Sequence, residues 1–249
     1  MVIRLKRNVI PVKVGRFTLD GSKIYIQSML NIPSDDIENN VKQAIELEKA
    51  GCEILRVSIP DKNAVQLIPA IKSKISIPLV ADIHFDYKLA LESVAAGIDK
   101  IRINPGNIGD SDRVKQVADA CKARNIPIRI GVNSGSLEKE LLEKYGSPTP
   151  EALVESAFNH VQMLTKYDFN DIVISIKSSN VNTMVNSYQL LSHKCNYPLH
   201  LGVTEAGTER MGLIKSSIGI GSLLLDGIGE TIRVSLTADP VLEIAAAKD

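Results

Sequence analysis

The stretch Pro78–Asn133 reads PLVADIHFDYKLALESVAAGIDKIRINPGNIGDSDRVKQVADACKARNIPIRIGVN, and its pattern decides the fold class. Three short runs rich in valine and isoleucine are typical of buried strands, and the two segments between them have the apolar spacing of helices. The predicted strands are Pro78–Ile83, Lys100–Asn104 and Pro127–Asn133, and the predicted helices are Tyr87–Ala96 and Ser111–Arg124. Such alternation predicts an α/β fold with a parallel sheet.

The same alternation continues on both sides of this stretch. Further strands are predicted at Ile24–Met29, Glu53–Ile59, Ile172–Lys177, Leu199–Thr204 and Thr231–Ser235, and further helices at Asp36–Ala50, Asn63–Ser73, Pro150–Tyr167 and Thr183–Ser192. Eight strands with intervening helices in 249 residues predict a closed (β/α)8 TIM barrel. A doubly wound open sheet is the alternative, but it usually has a glycine-rich turn after its first strand, and Gln27–Asn31 contains no glycine.

The two ends of the pattern carry smaller elements. Val12–Lys23, which contains Asp20-Gly21, predicts a hairpin that plugs the bottom of the barrel. A final helix is predicted over Val241–Asp249; it either completes the domain or begins a longer chain, and the sequence leaves both open. No linker interrupts the pattern, so residues 1–249 are predicted to form a single domain.

Charge and composition exclude several classes of protein. The 29 basic and 29 acidic side chains balance, so there is no overall attraction to nucleic acid or to an anionic membrane. No apolar run approaches the ~20 residues of a membrane span, and no secretion signal follows Met1. Cys52, Cys121 and Cys195 are far apart and form no Cys-x-x-Cys pair. We expect a cytoplasmic protein in which this chain alone binds no metal or cluster.

Polar side chains recur two or four positions apart near the ends of seven predicted strands. Because helices cover the outer face of a barrel, these side chains are expected to point into its mouth. They are Arg56 and Ser58, Asp82 and His84, Arg102 and Asn104, Arg129 and Asn133, Ser175 and Lys177, His200 and Thr204, and Arg233 and Ser235. Five of them are cations, and burying several cations together costs several kcal/mol each, on the order of the desolvation penalty, unless counter-charge is present. Since guanidinium groups suit phosphate oxygens, the pattern predicts a compact phosphate or diphosphate ester.

Two further features follow the seventh predicted strand. Glu205 is a candidate proton donor or acceptor among the arginines, or alternatively an ion-pair partner of Arg210 or Lys215. The segment Gly212–Ser217, with Lys215 and Ser216, is expected to begin a helix whose backbone N–H groups add to an anion site.

Five strings in this order resemble one family, (E)-4-hydroxy-3-methylbut-2-enyl diphosphate synthase of the methylerythritol phosphate pathway, over essentially the whole chain. They are VADIHF at 80–85, KIRINPGN at 100–107, IRIGVNSGSL at 128–137, PLHLGVTEAG at 198–207 and GIGETIRVSL at 227–236. The loop Leu30–Pro33 departs from the family, which usually has Met-Thr-Asn-Thr there, and Glu230 replaces the more usual aspartate.

The resemblance implies an oxidoreductase acting on a CH or CH2 group. Its substrate would be 2-C-methyl-D-erythritol 2,4-cyclodiphosphate, opened reductively with two electrons from a [4Fe-4S] cluster, with flavodoxin or ferredoxin as reductant. Three cysteines and a glutamate in a C-terminal domain hold that cluster in the family, and in two-domain members this domain caps the other barrel of a homodimer. The expectation is that the domain is absent from this chain, which alone binds substrate without turnover.

The resemblance also implies roles for individual residues. Arg56, Arg102, Arg129 and Lys177 would grip the diphosphate; Asp82, Asn104, Asn133 and His200 would orient the ring; Thr204 would also bind substrate; and Glu205 would be the acid–base carboxylate. His84, Ser175, Lys215, Ser216 and Arg233 are further candidates for substrate binding. Two alternatives remain, a non-catalytic diphosphate-binding module that needs a partner chain and a dihydropteroate-synthase-like transferase. The transferase needs a pterin-stacking pocket, which 4% aromatic content without tryptophan disfavours.

Overall fold

The computed structural model describes residues 7–204 and 206–249 as a ring of parallel strands preceded by a small hairpin. The hairpin strands are β1 Val12–Val14 and β2 Phe17–Leu19. The barrel strands are β3 Tyr25–Met29, β4 Ile54–Ser58, β5 Leu79–Asp82, β6 Lys100–Ile103, β7 Ile128–Asn133, β8 Ile172–Lys177, β9 His200–Leu201 and β10 Thr231–Ile232. All eight lie where a strand was predicted, so the TIM barrel is confirmed.

The strands follow chain order around the ring. From β3 to β8 each strand pairs in parallel with the next, and β10 pairs with both β9 and β3. The ring closes between β8 and β9 through one parallel bridge, Ile174 to Leu199. Because β9 and β10 have two residues each, shorter than predicted, this side of the ring has few ladder hydrogen bonds.

Helices cover the outside of the ring. Within the described residues they are α1 Ile37–Ala50, α2 Leu67–Lys72, α3 Tyr87–Ala95, α4 Ser111–Ala123, α5 Lys139–Tyr145, α6 Pro150–Thr165, α7 Val181–Lys194, α8 Glu209–Leu225 and α9 Pro240–Lys248. The predicted helix Asn63–Ser73 is divided into a 3-10 turn, Asn63–Gln66, and α2, and α5 was not predicted.

The hairpin closes the end of the barrel where the strands begin. Val12, Val14 and Leu19 are fully buried and pack against inward residues at the strand starts, such as Val80 and Val173. The turn lies at Gly15, whose φ of 55° suits glycine, whereas Asp20-Gly21 lies beyond β2 on the way to β3. The predicted plug is therefore present, and any opening into the barrel is at the opposite end.

Candidate functional site

Alternation along the strands determines which side chains enter the barrel. Val80 packs on the hairpin inside the ring, so Asp82, two residues later, also faces inward. The register extends this phase around the ring, because Asp82 pairs with Arg102 and Arg102 pairs with Arg129. Charged side chains from β5, β6 and β7 therefore lie level with one another.

Asp82 is a buried carboxylate that joins three basic side chains. Its Oδ2 lies 2.5 Å from Nη2 of Arg56 and 3.1 Å from Nε2 of His84, and its Oδ1 lies 3.2 Å from Nη1 of Arg102. Burial alone would favour the neutral acid, but Arg56, His84 and Arg102 hold the pKa of Asp82 well below its usual range. Asp82 is therefore ionised at neutral pH and neutralises one of the surrounding positive charges.

Arg129 is a buried guanidinium without such a partner. Its side chain is fully buried, and Nε, Nη1 and Nη2 make no hydrogen bond within residues 7–204 and 206–249. Burial and the neighbouring Arg56 and Arg102 lower the pKa of Arg129, yet an arginine starts so high that it stays charged. Because buried polar groups are normally paired, these donors indicate a place for an acceptor such as a phosphate oxygen.

Several predicted residues line one cavity of about 30 Å³ at the mouth. Its lining comprises Arg56, Ser175, Lys177, Tyr188, His200, Gly202, Val203, Thr204, Arg233 and Ser235. Nε of Arg233 also lies 3.5 Å from Oε2 of Glu243, a buried carboxylate of α9. The structure thus brings together polar residues predicted from the sequence on β4, β8, β9 and β10 or in the loops that follow them.

His200 and Lys177 add hydrogen-bonding groups to the fixed arginine charges. Burial, with Arg129 and the amino groups of Lys100 and Lys177 close by, holds the pKa of His200 well below its usual value, so its ring is neutral. Nδ1 of His200 lies 2.7 Å from Oγ1 of Thr231, which fixes the ring. Burial and the nearby arginines also lower the pKa of Lys177 well below its usual value. Extra negative charge in the cavity would raise both pKa values.

Asn104 and Asn133 lie where the loops after β6 and β7 begin. Oδ1 of Asn104 accepts a hydrogen bond from the backbone N–H of Gly106 at 3.1 Å, and Oδ1 of Asn133 accepts one from Gly135 at 3.2 Å. These bonds leave each side-chain NH2 group without a partner among the described residues, so it is available as a donor to a guest.

Three predictions around the seventh strand have other outcomes. Glu205 lies outside the described residues. The helix start predicted at Gly212–Ser217 is wrong, because α8 begins at Glu209 with Thr208 as its N-cap, and the N–H of Gly212 already donates to the Thr208 carbonyl within that helix. Ser216 is buried in an apolar groove between α8 and α9, and Lys215 precedes it on the same helix. Neither residue lines the cavity at the mouth of the barrel.

Two inward-facing residues were not predicted, although their phase along the strands could have identified them. Lys100 lies two residues before Arg102 on β6, is fully buried, and its Nζ has no hydrogen-bond partner in the part of the chain described. Burial, with Arg129 and Arg56 nearby, holds the pKa of Lys100 well below its usual value. Gln27 on β3 is also buried with both amide atoms unpaired among those residues.

A larger cavity of about 970 Å³ lies at the other end of the barrel, beside the hairpin and α9. Most of its charged side chains already have partners: Lys23 pairs with Glu53, Glu48 accepts from Ser76, and Lys248 donates to the Ala50 carbonyl. Unlike the mouth, this cavity has no accumulation of one charge sign, so we place the functional site at the mouth.

The cysteines do not suit an iron–sulfur cluster. Cys52 and Cys121 are buried in separate parts of the core, and burial raises the pKa of each thiol to about 12, whereas a cluster is held by thiolates. No group of three His, Cys, Asp or Glu side chains within residues 7–204 and 206–249 is arranged to hold a metal ion. The described residues therefore do not fit a [4Fe-4S] cluster. Among them there is also no helix with the length and apolar character needed to cross a membrane.

Two proteins of similar sequence carry the same name. The GcpE TIM-barrel domain family matches residues 9–248. The chain is 61% identical over 239 residues to 4-hydroxy-3-methylbut-2-en-1-yl diphosphate synthase (flavodoxin) of Clostridium perfringens, covering 96% of this chain and 68% of that protein. It is 58% identical over 246 residues to the protein of the same name from Fusobacterium nucleatum, covering 98% and 70%. The chain thus spans about two thirds of the length of these relatives.

Solved structures of similar shape include dihydropteroate synthases. The enzyme from Xanthomonas albilineans has a TM-score of 0.64 at 15% identity, over 96% of this chain and 97% of that one. The enzyme from Thermus thermophilus has a TM-score of 0.63 at 14% identity, over 96% and 98%. At this identity the likeness shows a shared barrel fold and nothing about activity, so the transferase alternative is not favoured.

Proposed function

This chain belongs to the 4-hydroxy-3-methylbut-2-en-1-yl diphosphate synthase family, and from that premise we propose that its barrel binds 2-C-methyl-D-erythritol 2,4-cyclodiphosphate for reductive ring opening. The observation that carries the proposal is the set of buried cations inside the barrel, above all Arg129, whose three side-chain nitrogens have no hydrogen-bond partner among the described residues. Buried charge that lacks a counter-ion destabilises the empty barrel, and a guest with two phosphate groups would supply that counter-charge.

We assign the phosphate contacts to Arg56, Arg102, Arg129 and Lys177, which surround Asp82 in the barrel. Asp82 already engages Arg56 and Arg102, so it holds those guanidinium groups in place while leaving other N–H donors free. Of these four, Arg56 and Lys177 line the cavity of about 30 Å³, and we propose that the guest displaces their side chains when it binds.

The remaining polar groups are proposed to orient the ring. The free NH2 groups of Asn104 and Asn133 and the neutral ring of His200 can hydrogen-bond to hydroxyl or ester oxygens. Thr204, Ser175 and Arg233 line the same cavity and are assigned secondary contacts. Glu205 matches the family's acid–base carboxylate by its place in the string TEAG, and that role is part of the proposal.

Ring opening consumes two electrons, and the described residues offer no site for the [4Fe-4S] cluster that would supply them. Their part in the reaction is to bind the guest, hold its phosphates and exclude water. The name of the relatives includes flavodoxin, which we propose as the external reductant, and we propose a homodimer as the assembly.

The binding proposal is tested by titrating the cyclodiphosphate into the purified chain in a calorimeter. We expect saturable binding that weakens as salt rises, because fixed cations carry it. In the double variant R102L/R129L, the affinity should fall by about 100-fold or more, since truncating buried charge contacts costs about 2–5 kcal/mol each. The matched control R16L removes a surface arginine and should bind normally. Unchanged affinity in the double variant would contradict the proposed phosphate contacts.

A further inference from the structure

His160 lies on α6, outside the strands, yet it is in direct contact with two loops of the mouth. Its side chain is 3% exposed, and Nε2 lies 2.9 Å from Oε1 of Glu138, in the loop after β7. Oγ of Ser156, one turn earlier on α6, donates to the same oxygen at 2.9 Å. Partial burial opposes ionisation of Glu138, but His160 and Ser156 lower its pKa to about 2, so the carboxylate is charged across the neutral range.

The same histidine also lies against the loop after β6. A Cβ added at Gly106 would be 2.8 Å from Nε2 of His160 and 3.4 Å from Oδ1 of Asn104, so the ring supports the backbone of this loop directly. The N–H of Gly106 donates to Asn104, whose NH2 group has no partner within residues 7–204 and 206–249. Displacement of Gly106 would therefore change the direction of the Asn104 amide.

Glu138 has a corresponding place relative to Asn133. The segment between them includes the 3-10 turn Ser134–Ser136, which is anchored on Oδ1 of Asn133. The carbonyl of Glu138 accepts hydrogen bonds from Leu141 and Leu142 at the start of α5. The Glu138 backbone is thus fixed by α5 and its side chain by α6.

We infer that the Glu138–His160 pair is a brace that sets the spacing of Asn104 and Asn133 and thereby favours the carbon skeleton of the guest, beyond the contribution of its phosphates. Both are positioning residues, because the His160 side chain is 3% exposed and the Glu138 carboxylate is engaged by His160 and Ser156. The inference rests on the proposed function, in which the asparagines hydrogen-bond to hydroxyl or ester oxygens of the guest and the cations contact its phosphates.

Two ligands distinguish this role from a general effect on the fold. We would measure the affinities of the cyclodiphosphate and of inorganic pyrophosphate, which has the two phosphate groups without the carbon skeleton. In H160A the affinity for the cyclodiphosphate should fall about 10-fold, while that for pyrophosphate stays within about twofold; a tenfold change corresponds to about 1.4 kcal/mol. H160Q keeps a side-chain donor and should recover part of the loss. The matched control H193A removes an exposed histidine of α7 and should change neither affinity.

A second measurement needs no ligand. Hydrogen exchange of the Gly106 amide, which is bonded to Asn104, should be faster in H160A than in the unaltered chain, and H193A should leave it unchanged. Equal losses for both ligands, no loss for either, or unaltered exchange at Gly106 would each overturn the brace. Failure of the unaltered chain to bind the cyclodiphosphate would instead contradict the proposed function, and the exchange result would still report whether His160 supports the loop.

Discussion

At Gly131 the absence of a side chain makes room for a guanidinium group. This glycine lies on β7 between Arg129 and Asn133, and its carbonyl accepts a hydrogen bond from Nη2 of Arg102 at 3.4 Å. A Cβ built at this position would be 2.8 Å from Cζ of Arg102, too close for an undistorted contact. A residue without charge or hydrogen-bonding side chain therefore determines where a cation lies.

The variant G131A should displace Arg102 from Asp82 and weaken binding of the cyclodiphosphate by about 10-fold, with little change of fold because an arginine side chain can move. Calorimetric titration gives the affinity, and circular dichroism checks the fold. The matched control is G221A in α8, where an added Cβ meets nothing within 4 Å. That variant should bind normally and gain up to about 1 kcal/mol of stability from helix propensity. Normal affinity in G131A would contradict the assignment of Arg102.

At the scale of elements, β6 and the residue that follows it combine three inward polar residues, Lys100, Arg102 and Asn104, at successive levels from the floor to the mouth. Lys100 is the deepest of these and has no ion-pair partner among the residues described. Its pKa is depressed in the folded chain, so at pH values between that depressed pKa and the ordinary pKa the folded chain binds fewer protons than the unfolded chain. Folding then releases a proton.

This linkage has a definite sign. Because the folded pKa of Lys100 is depressed, its cost is absent above about pH 10.4 and grows as pH falls below that value, by up to about 1.4 kcal/mol per pH unit until the folded pKa is reached. The variant K100M removes this term. We expect the difference in free energy of unfolding between K100M and the unaltered chain to favour K100M more at pH 7 than at pH 10 in urea titrations. A difference that does not depend on pH would show that Lys100 is charged in the folded chain.

The elements also show how far the sequence could predict the structure. Strand existence and inward phase were readable because β-branched runs and polar residues two apart are local patterns. The start of α8 was not predicted correctly. The helix begins at Glu209, with Thr208 as its N-cap, whereas its start was predicted at Gly212. The brace was not predicted either: Glu138 and His160 lie far apart in sequence on different elements, and only tertiary packing joins them.

For the whole molecule, zero net charge conceals an uneven distribution. Acidic side chains are mostly at the surface, whereas the barrel interior, over the described residues, holds Arg56, Arg102, Arg129 and Lys177 around the carboxylate of Asp82. Composition could not reveal this segregation, since it depends on which strand face each charge occupies. The phase of the strands predicted it, but which cations are paired required coordinates.

Anions should therefore stabilise the folded chain. At a pyrophosphate concentration of about 100 times its Kd, the free energy of unfolding should rise by about 2.7 kcal/mol, seen as a higher Tm in thermal denaturation. The R102L/R129L variant should lose most of this increase, and added sodium chloride should reduce it in the unaltered chain. An unchanged Tm at saturating pyrophosphate would mean that the interior cations are inaccessible to the anion or already neutralised by other charges.

The hairpin that closes one end of the barrel determines how a ligand can enter and leave. With Val12, Val14 and Leu19 sealing one end, the barrel is a blind tube rather than a passage. A ligand must therefore enter and leave through the same open end of the barrel, and on leaving it must dissociate from the arginines that bound it. A diphosphate that stays bound therefore blocks entry of the next substrate molecule. Any cover over the open end of the barrel would control entry and release together.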